Sequence, residues 1–241
     1  FDYYDKTPPT GELEIYQKAS TKHGLPIRAG GFYYTRGRDE PLLEWHLRIA
    51  RELGSVVQNI QIKPVDANGK PVTDDEVAES YLMAAELGDK LGVVPSFEVH
   101  INMWSEHFGR VSRVGELVEK RGVKFNITLD HSHVIFKIDN PREQEILGMR
   151  ADVEAGRVVL DPFRAGNVAT EWITRNYVSH AHARPSKATS AHSPLMRTRH
   201  VPKRLKVPRK RHKRKVAART HVHVHNRPKL AKVRSQRLRR R

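Results

Sequence analysis

The charge of this chain breaks at one point, and the break decides which part of it can fold. Residues 185–241 hold 21 Lys or Arg and no Asp or Glu. All 27 acidic residues lie in residues 1–184, with the other 23 of the 44 basic ones, so that segment carries −4. The overall charge of +17 describes neither part. A mildly acidic body excludes a uniformly basic fold of the ribosomal or histone-like kind. The tail is dominated by Arg, Lys, His, Pro, Val and Ala. It buries too little apolar surface to offset the entropy of ordering and is expected to be disordered.

Within the body, strand-like and helical segments alternate. Helical stretches are read over Glu12–His23, Pro41–Leu53, about Thr73–Leu91, about Val111–Lys120 and about Asn167–Asn176. Thr73 followed by Glu76 has the spacing of a capping box. Gly54 and Gly122 stand where helices stop. Strands are read over Pro26–Thr35, Val56–Lys63, Val93–Asn102, Lys124–Asp130 and Tyr177–Arg184, and Phe1–Tyr4 reads as the end of a sixth. The stretch between Asp130 and Asn167 reads as irregular. This order is the signature of βαβ units and a parallel sheet. Two architectures satisfy it, an open doubly wound sheet and a portion of a β/α barrel. No GxGxxG or GxxxxGK[ST] follows a strand, which disfavours a nucleotide-binding sheet.

The strand faces point to a site. Side chains alternate along a strand. Phe97, Val99 and Ile101 fall on one side of the third strand, and Ser96, Glu98, His100 and Asn102 on the other. Asn126, Thr128 and Asp130 oppose Phe125, Ile127 and Leu129. Asn59, Gln61 and Lys63 oppose Ile60 and Ile62, and His180, His182 and Arg184 share a face. A fully buried parallel strand reads instead as a near-continuous apolar run. Burying unpaired charges is costly, so four strands in phase imply a shared ligand at the C-terminal mouth of the sheet. Oxygen and imidazole donors suit Mn²⁺, Mg²⁺, Co²⁺ or Zn²⁺.

Glu98-Val99-His100, Asp130-His131-Ser132-His133 and His180-Ala181-His182-Ala183-Arg184, each ending a strand, resemble the xylose isomerase-like TIM-barrel superfamily. That superfamily includes sugar isomerases and epimerases and endonuclease IV. The resemblance covers roughly residues 1–184 and implies an α/β fold, a partial (β/α) TIM-type barrel followed by the disordered tail. It implies Glu98 as metal ligand and proton carrier, Asp130 as ligand, and His180 or His182 as the later imidazole ligand. It implies His133 as a catalytic, substrate-contacting histidine. His100, Arg184 and Trp104 are the further substrate contacts expected, Trp104 as a sugar-facing wall. The expected partners are a small sugar or hydroxy acid and a divalent metal ion, and a homo-oligomer is compatible with the pattern. The superfamily's fourth ligand, a glutamate on the last strand, has no counterpart, because no acidic residue follows Glu171. The last two barrel strands also lack counterparts. A metal-dependent isomerase or epimerase, inactive or impaired as this chain, is therefore expected.

The tail admits three readings: an arm that binds nucleic-acid phosphates, a text translated in the wrong frame of a GC-rich gene, and an inert solvated segment. Its strongest run is Arg209, Lys210, Arg211, Lys213, Arg214 and Lys215, interrupted by His212. The tail has no Phe, Tyr or Trp, so it offers phosphate neutralisation without base stacking. The alternative function is thus nucleic-acid binding, through this run or through an endonuclease IV-like site. The absence of cysteine excludes disulfides and thiolate chemistry. No apolar run reaches the ~18 residues of a membrane span, and no secretory leader is present, so a cytoplasmic protein is expected. The start at Phe1 rather than Met reads as a fragment or a processed product.

Overall fold

A computed structural model of the chain describes residues 11–183. Its strands are β1 (Ala29–Tyr34), β2 (Val57–Ile62), β3 (Val94–Val99), β4 (Ile127–Asp130) and β5 (Val178–His182). They form one sheet in chain order, and each neighbouring pair is parallel. The reversal of strand order that marks a doubly wound sheet does not occur among the described residues. β1 and β5 are the outer strands, so these residues form an open sheet rather than a closed barrel. Phe1–Tyr4, Arg184 and the run from Arg209 to Lys215 lie outside the described residues.

The main helices are α1 (Glu12–His23), α2 (Glu40–Glu52), α3 (Asp74–Leu91) and α4 (Phe108–Glu119). α3 packs on both α2 and α4, so consecutive crossovers lie side by side. α3 begins as its sequence predicts. Thr73 Oγ1 accepts the Glu76 N–H at 3.2 Å, and Glu76 Oε2 accepts the Thr73 N–H at 2.8 Å. Asp74, Asp75 and Glu76 place negative charge against the helix N-terminus. Gly92, at φ 68°, ends the helix in the left-handed conformation that glycine adopts without a Cβ penalty. Among the described residues no helix is long and apolar enough to cross a membrane.

The core lies between these helices and one face of the sheet. Phe32, Ile60, Phe97, Val99 and Ile127 meet Leu47, Val77, Tyr81, Ala84, Val111 and Val114 there. Tyr81 ties the layers together. Its ring lies 4.9 Å from Phe97 and 4.8 Å from Phe125, and its hydroxyl donates to Lys124 O. α4 approaches closely because of Gly115: a Cβ there would lie 2.5 Å from the Tyr177 ring.

Three departures from the sequence reading have local causes. β3 stops at Val99 because side chains replace the ladder. Ser105 Oγ accepts the His100 N–H and donates to Glu98 O, and Glu106 Oε2 accepts the N–H of Asn102, itself at φ 60°. β4 begins only at Ile127. The irregular stretch contains α5 (His131–Ile135), α6 (Pro141–Ile146) and α7 (Arg150–Glu154), ahead of α8 (Val168–Thr174). Asp130 caps α5 and Asn140 caps α6, but one or two turns are too short to show a helical period.

One core residue titrates. His46 on α2 is buried and stacked 4.1 Å from Phe32, with neither ring nitrogen hydrogen-bonded. Burial pushes its pKa down to about 4, against the opposing pull of Asp39. The unfolded chain, near its ordinary 6.5, binds the proton first. Stability is therefore complete above about pH 6.5 and falls as pH drops towards 4, by roughly 3 kcal/mol in all. Urea unfolding of the native protein and of His46→Leu between pH 7 and 4 should show curves that diverge by that amount. Parallel curves would remove His46 as the cause.

Candidate metal centre

The second face of the sheet is polar, and on β2, β3 and β4 it is nevertheless buried. Its lower layer is a set of hydroxyls: Ser96 Oγ lies 2.9 Å from both Thr128 Oγ1 and Ser179 Oγ. Above it, at the C-terminal ends of the strands, stand Glu98, Asp130 and His182.

The placement of the imidazoles depends on an irregularity in β5. Val178 pairs with Ile127 and packs against the core. His180 then pairs with Thr128, and His182 with Asp130, because the register shifts by one residue at Ser179. A regular strand would keep Val178, His180 and His182 on one face. The bulge lets the valine face the helices while both histidines join the polar layer.

Glu98 and Asp130 are 1% and 0% exposed. Glu98 Oε2 accepts two hydrogen bonds from β2, one from Asn59 Nδ2 at 2.6 Å and a shorter one from Gln61 Nε2. Its other oxygen, Oε1, lies 3.1 Å from His182 Nδ1, yet neither atom makes a hydrogen bond. His182 Nδ1 is also 3.5 Å from Asp130 Oδ2. Asp130 Oδ1 is held by the N–H and hydroxyl of Ser132, at 3.1 and 2.5 Å. Donor atoms of Glu98, Asp130 and His182 all lie within 4.8 Å of one another, close enough to hold one cation together.

Two further histidines border this cluster. His133 Nε2 is 3.5 Å from Asp130 Oδ2. His100 and His133 lie with ring centres 4.3 Å apart, and their donor atoms fall within 4.8 Å of Glu98. His100 Nδ1 is 2.6 Å from Ile101 O. A carbonyl only accepts, which assigns the proton to Nδ1 and leaves Nε2 as the donor atom of that ring.

Of the two imidazoles left open by the sequence, His182 is the one brought to the carboxylates. His180 sits one step lower, its ring 5.4 Å from that of His182, and is not part of the cluster. Burial holds its pKa below the ordinary value, and His182 adds to the effect. Trp104 is a second correction. It is buried in the core against Phe97, on the opposite side of β3 from Glu98, so it forms no wall facing a sugar. The sequence reading places Asn59 and Gln61 on the shared polar face but missed that both hold Glu98.

It also missed a buried ion cluster. Lys137 is 0% exposed, and its Nζ lies 2.5 Å from Glu106 Oε1 and 3.2 Å from Glu143 Oε2. This ties the loop after β3, which carries His100, to the segment after β4, which carries His133.

No protein-family model matches the chain, and no curated protein matches it in sequence.

Proposed function

We propose that the sheet is an arc of a β/α barrel of the xylose isomerase-like type and that Glu98, Asp130 and His182 hold one divalent cation at its mouth. The function that follows is that of an isomerase- or epimerase-like protein acting on a small sugar or hydroxy acid. One observation carries this reading: Glu98 Oε1 and His182 Nδ1 are buried, 3.1 Å apart and without hydrogen bonds. A cation between them would satisfy both atoms at once, in place of the ion pair that a protonated His182 makes with Glu98 at that distance. The strand order, sequential and without reversal, supports the barrel.

Two carboxylates and an imidazole fit Mn²⁺, Mg²⁺, Co²⁺ or Zn²⁺, and three protein ligands leave positions open for a ligand. A cation bound there would polarise adjacent oxygens of a hydroxycarbonyl compound. The chain's own groups supply the rest. Asn59 and Gln61 hold Glu98 Oε2, so that Oε1 is the oxygen turned towards His182 and the cation. Ser132 fixes the orientation of Asp130. His133 and His100 line the approach to Glu98 and are placed to hydrogen-bond a hydroxyl. Among the described residues no further carboxylate joins the cluster. We therefore expect cation binding with little or no isomerase turnover.

Calorimetric titration of chelator-treated protein with Mn²⁺ should show one cation per chain, and Asp130→Asn should weaken its binding. A native protein that takes up no Mn²⁺, Co²⁺ or Zn²⁺ would refute the reading. Efficient turnover of a ketose panel with added Mn²⁺ would refute the expectation of impaired catalysis alone.

A further inference from the structure

We infer that a second copy of this chain docks at the N-terminal end of the sheet, with Phe163 of one copy seated in a cavity of the next. This goes beyond the reading above and does not depend on a metal.

Phe163 is 97% exposed, more than any other large hydrophobic side chain among the described residues. Lone exposed apolar residues are ordinary, but the loop that carries this one is built to hold it. The buried Asn167 donates from Nδ2 to the carbonyls on both sides of Phe163, at 3.1 Å to Pro162 and 2.8 Å to Arg164. Asp161 Oδ1 accepts the Phe163 N–H at 2.9 Å, and the ring of Pro162 fixes its own φ. The entropy of ordering this loop is lost on folding and not again on binding. A rigid, exposed aromatic side chain is the kind of anchor on which interfaces concentrate their energy.

The cavity lies between the end of α3 and the starts of β3 and β4. Its volume is about 610 Å³, ample for a phenyl ring, and Ala85, Val93, Pro95 and Val123 give it an apolar wall. Asp89 and Lys124 also line it, and neither makes an ion pair among the described residues. The loop carries the matching set. Asp161 and Arg164 flank Phe163 and likewise make no ion pair there. An aromatic ring between an acid and a base thus faces an apolar hollow that carries a base and an acid.

The two surfaces belong to opposite ends of the sheet. The loop leads into α8, whose far end feeds the start of β5, whereas the cavity adjoins the starts of β3 and β4. Phe163 does not fill the cavity of its own chain. Copies that join in this way stand head to tail, and the contact repeats from one to the next.

Sedimentation velocity of the full chain at about 0.15 M salt, which screens its charge of +17, should give an average mass that rises with concentration. An interface this small implies a Kd on the order of 100 µM, so the range to cover is about 10 µM to about 1 mM. Phe163→Ala should weaken association about 10- to 100-fold. Arg164→Glu should weaken it by up to about fivefold, and adding Asp89→Lys should restore it. Lys at position 89 also suits the C-terminal end of α3, so folding is not put at risk. A mixture isolates the head-to-tail geometry. Phe163→Ala keeps the cavity, while Val94→Trp keeps the loop and fills the cavity from a half-exposed position on its wall. Each should be monomeric alone, and the equimolar mixture should stop at dimers. Thermal melts check that the variants are folded. A native chain that stays monomeric to about 1 mM would overturn the proposal and leave the cavity to a different occupant. Association that survives Phe163→Ala, or a mixture that remains monomeric, would overturn it equally.

Discussion

Glu98→Gln should raise the thermal stability of the metal-free protein and abolish its response to divalent cations. The two effects have one origin. Glu98 and Asp130 are buried carboxylates with donor atoms within 4.8 Å of each other. In the absence of a cation, like charges at that spacing oppose folding. An amide in place of the carboxylate keeps an oxygen for the N–H groups of Asn59 and Gln61 and turns its own N–H₂ towards His182 and Asp130. Repulsion becomes hydrogen bonding, a gain of about 1–2 kcal/mol. That corresponds to an increase in Tm of roughly 2–8 °C for a domain of this size. Cation affinity moves the other way. Loss of a partner that merely orients a ligand costs 10–100-fold, so loss of a ligand should cost about 100-fold or more. A cation at a hundred times its Kd stabilises the native protein by about 2.7 kcal/mol, and the variant should lose that increment. Melting curves with and without Mn²⁺ decide the matter. A variant that melts lower and still gains from Mn²⁺ would show that Glu98 is structural.

Lys137→Met should be the most destabilising single change at the polar end of the sheet. Lys137 is fully buried between Glu106 and Glu143. Removing the cation leaves two buried carboxylates without their compensating charge, at a cost of about 3–5 kcal/mol. The melting temperature should fall by about 6–20 °C at 2–4 °C per kcal/mol. Combining it with Glu106→Gln and Glu143→Gln removes the uncompensated charges and should recover most of the loss. The single variant should also weaken cation binding, because Lys137 joins the two loops that carry His100 and His133. If the single variant melts like the native protein, the cluster is hydrated in solution and holds neither loop.

The parts of this fold that were legible in the sequence are those in which a pattern repeats. Alternation of Glu98 with Phe97 and Val99, or of Asp130 with Leu129, is fixed by strand geometry, and each strand reports it independently. Thr73 and Glu76 fix a helix start through two reciprocal hydrogen bonds, so two residues at that spacing suffice to recognise it. What remained hidden depends on residues distant in sequence. Lys137 looks like any solvated lysine until Glu106, 31 positions earlier, is folded against it. Trp104 sits near the site in sequence, yet the turn after Val99 sends it into the core with Phe97. His180 and His182 have the same phase, and only pairing with Asp130 distinguishes them. Asn59 and Gln61 carried the right phase but no charge, and an amide that orients a carboxylate has no sequence signature of its own.

The bulge at Ser179 also gives β5 a spare residue. Loss of a residue from a strand is ordinarily among the most damaging changes, because everything downstream changes side. Here excision of Ser179 would straighten the strand and leave Val178 opposite Ile127, His180 opposite Thr128 and His182 opposite Asp130. Excision of Ala181, two places on, has no such slack to draw on and would swing His182 away from Glu98. Deletions two places apart in the same strand should thus have opposite fates, one removing only a hydroxyl from the lower layer and the other dismantling the centre.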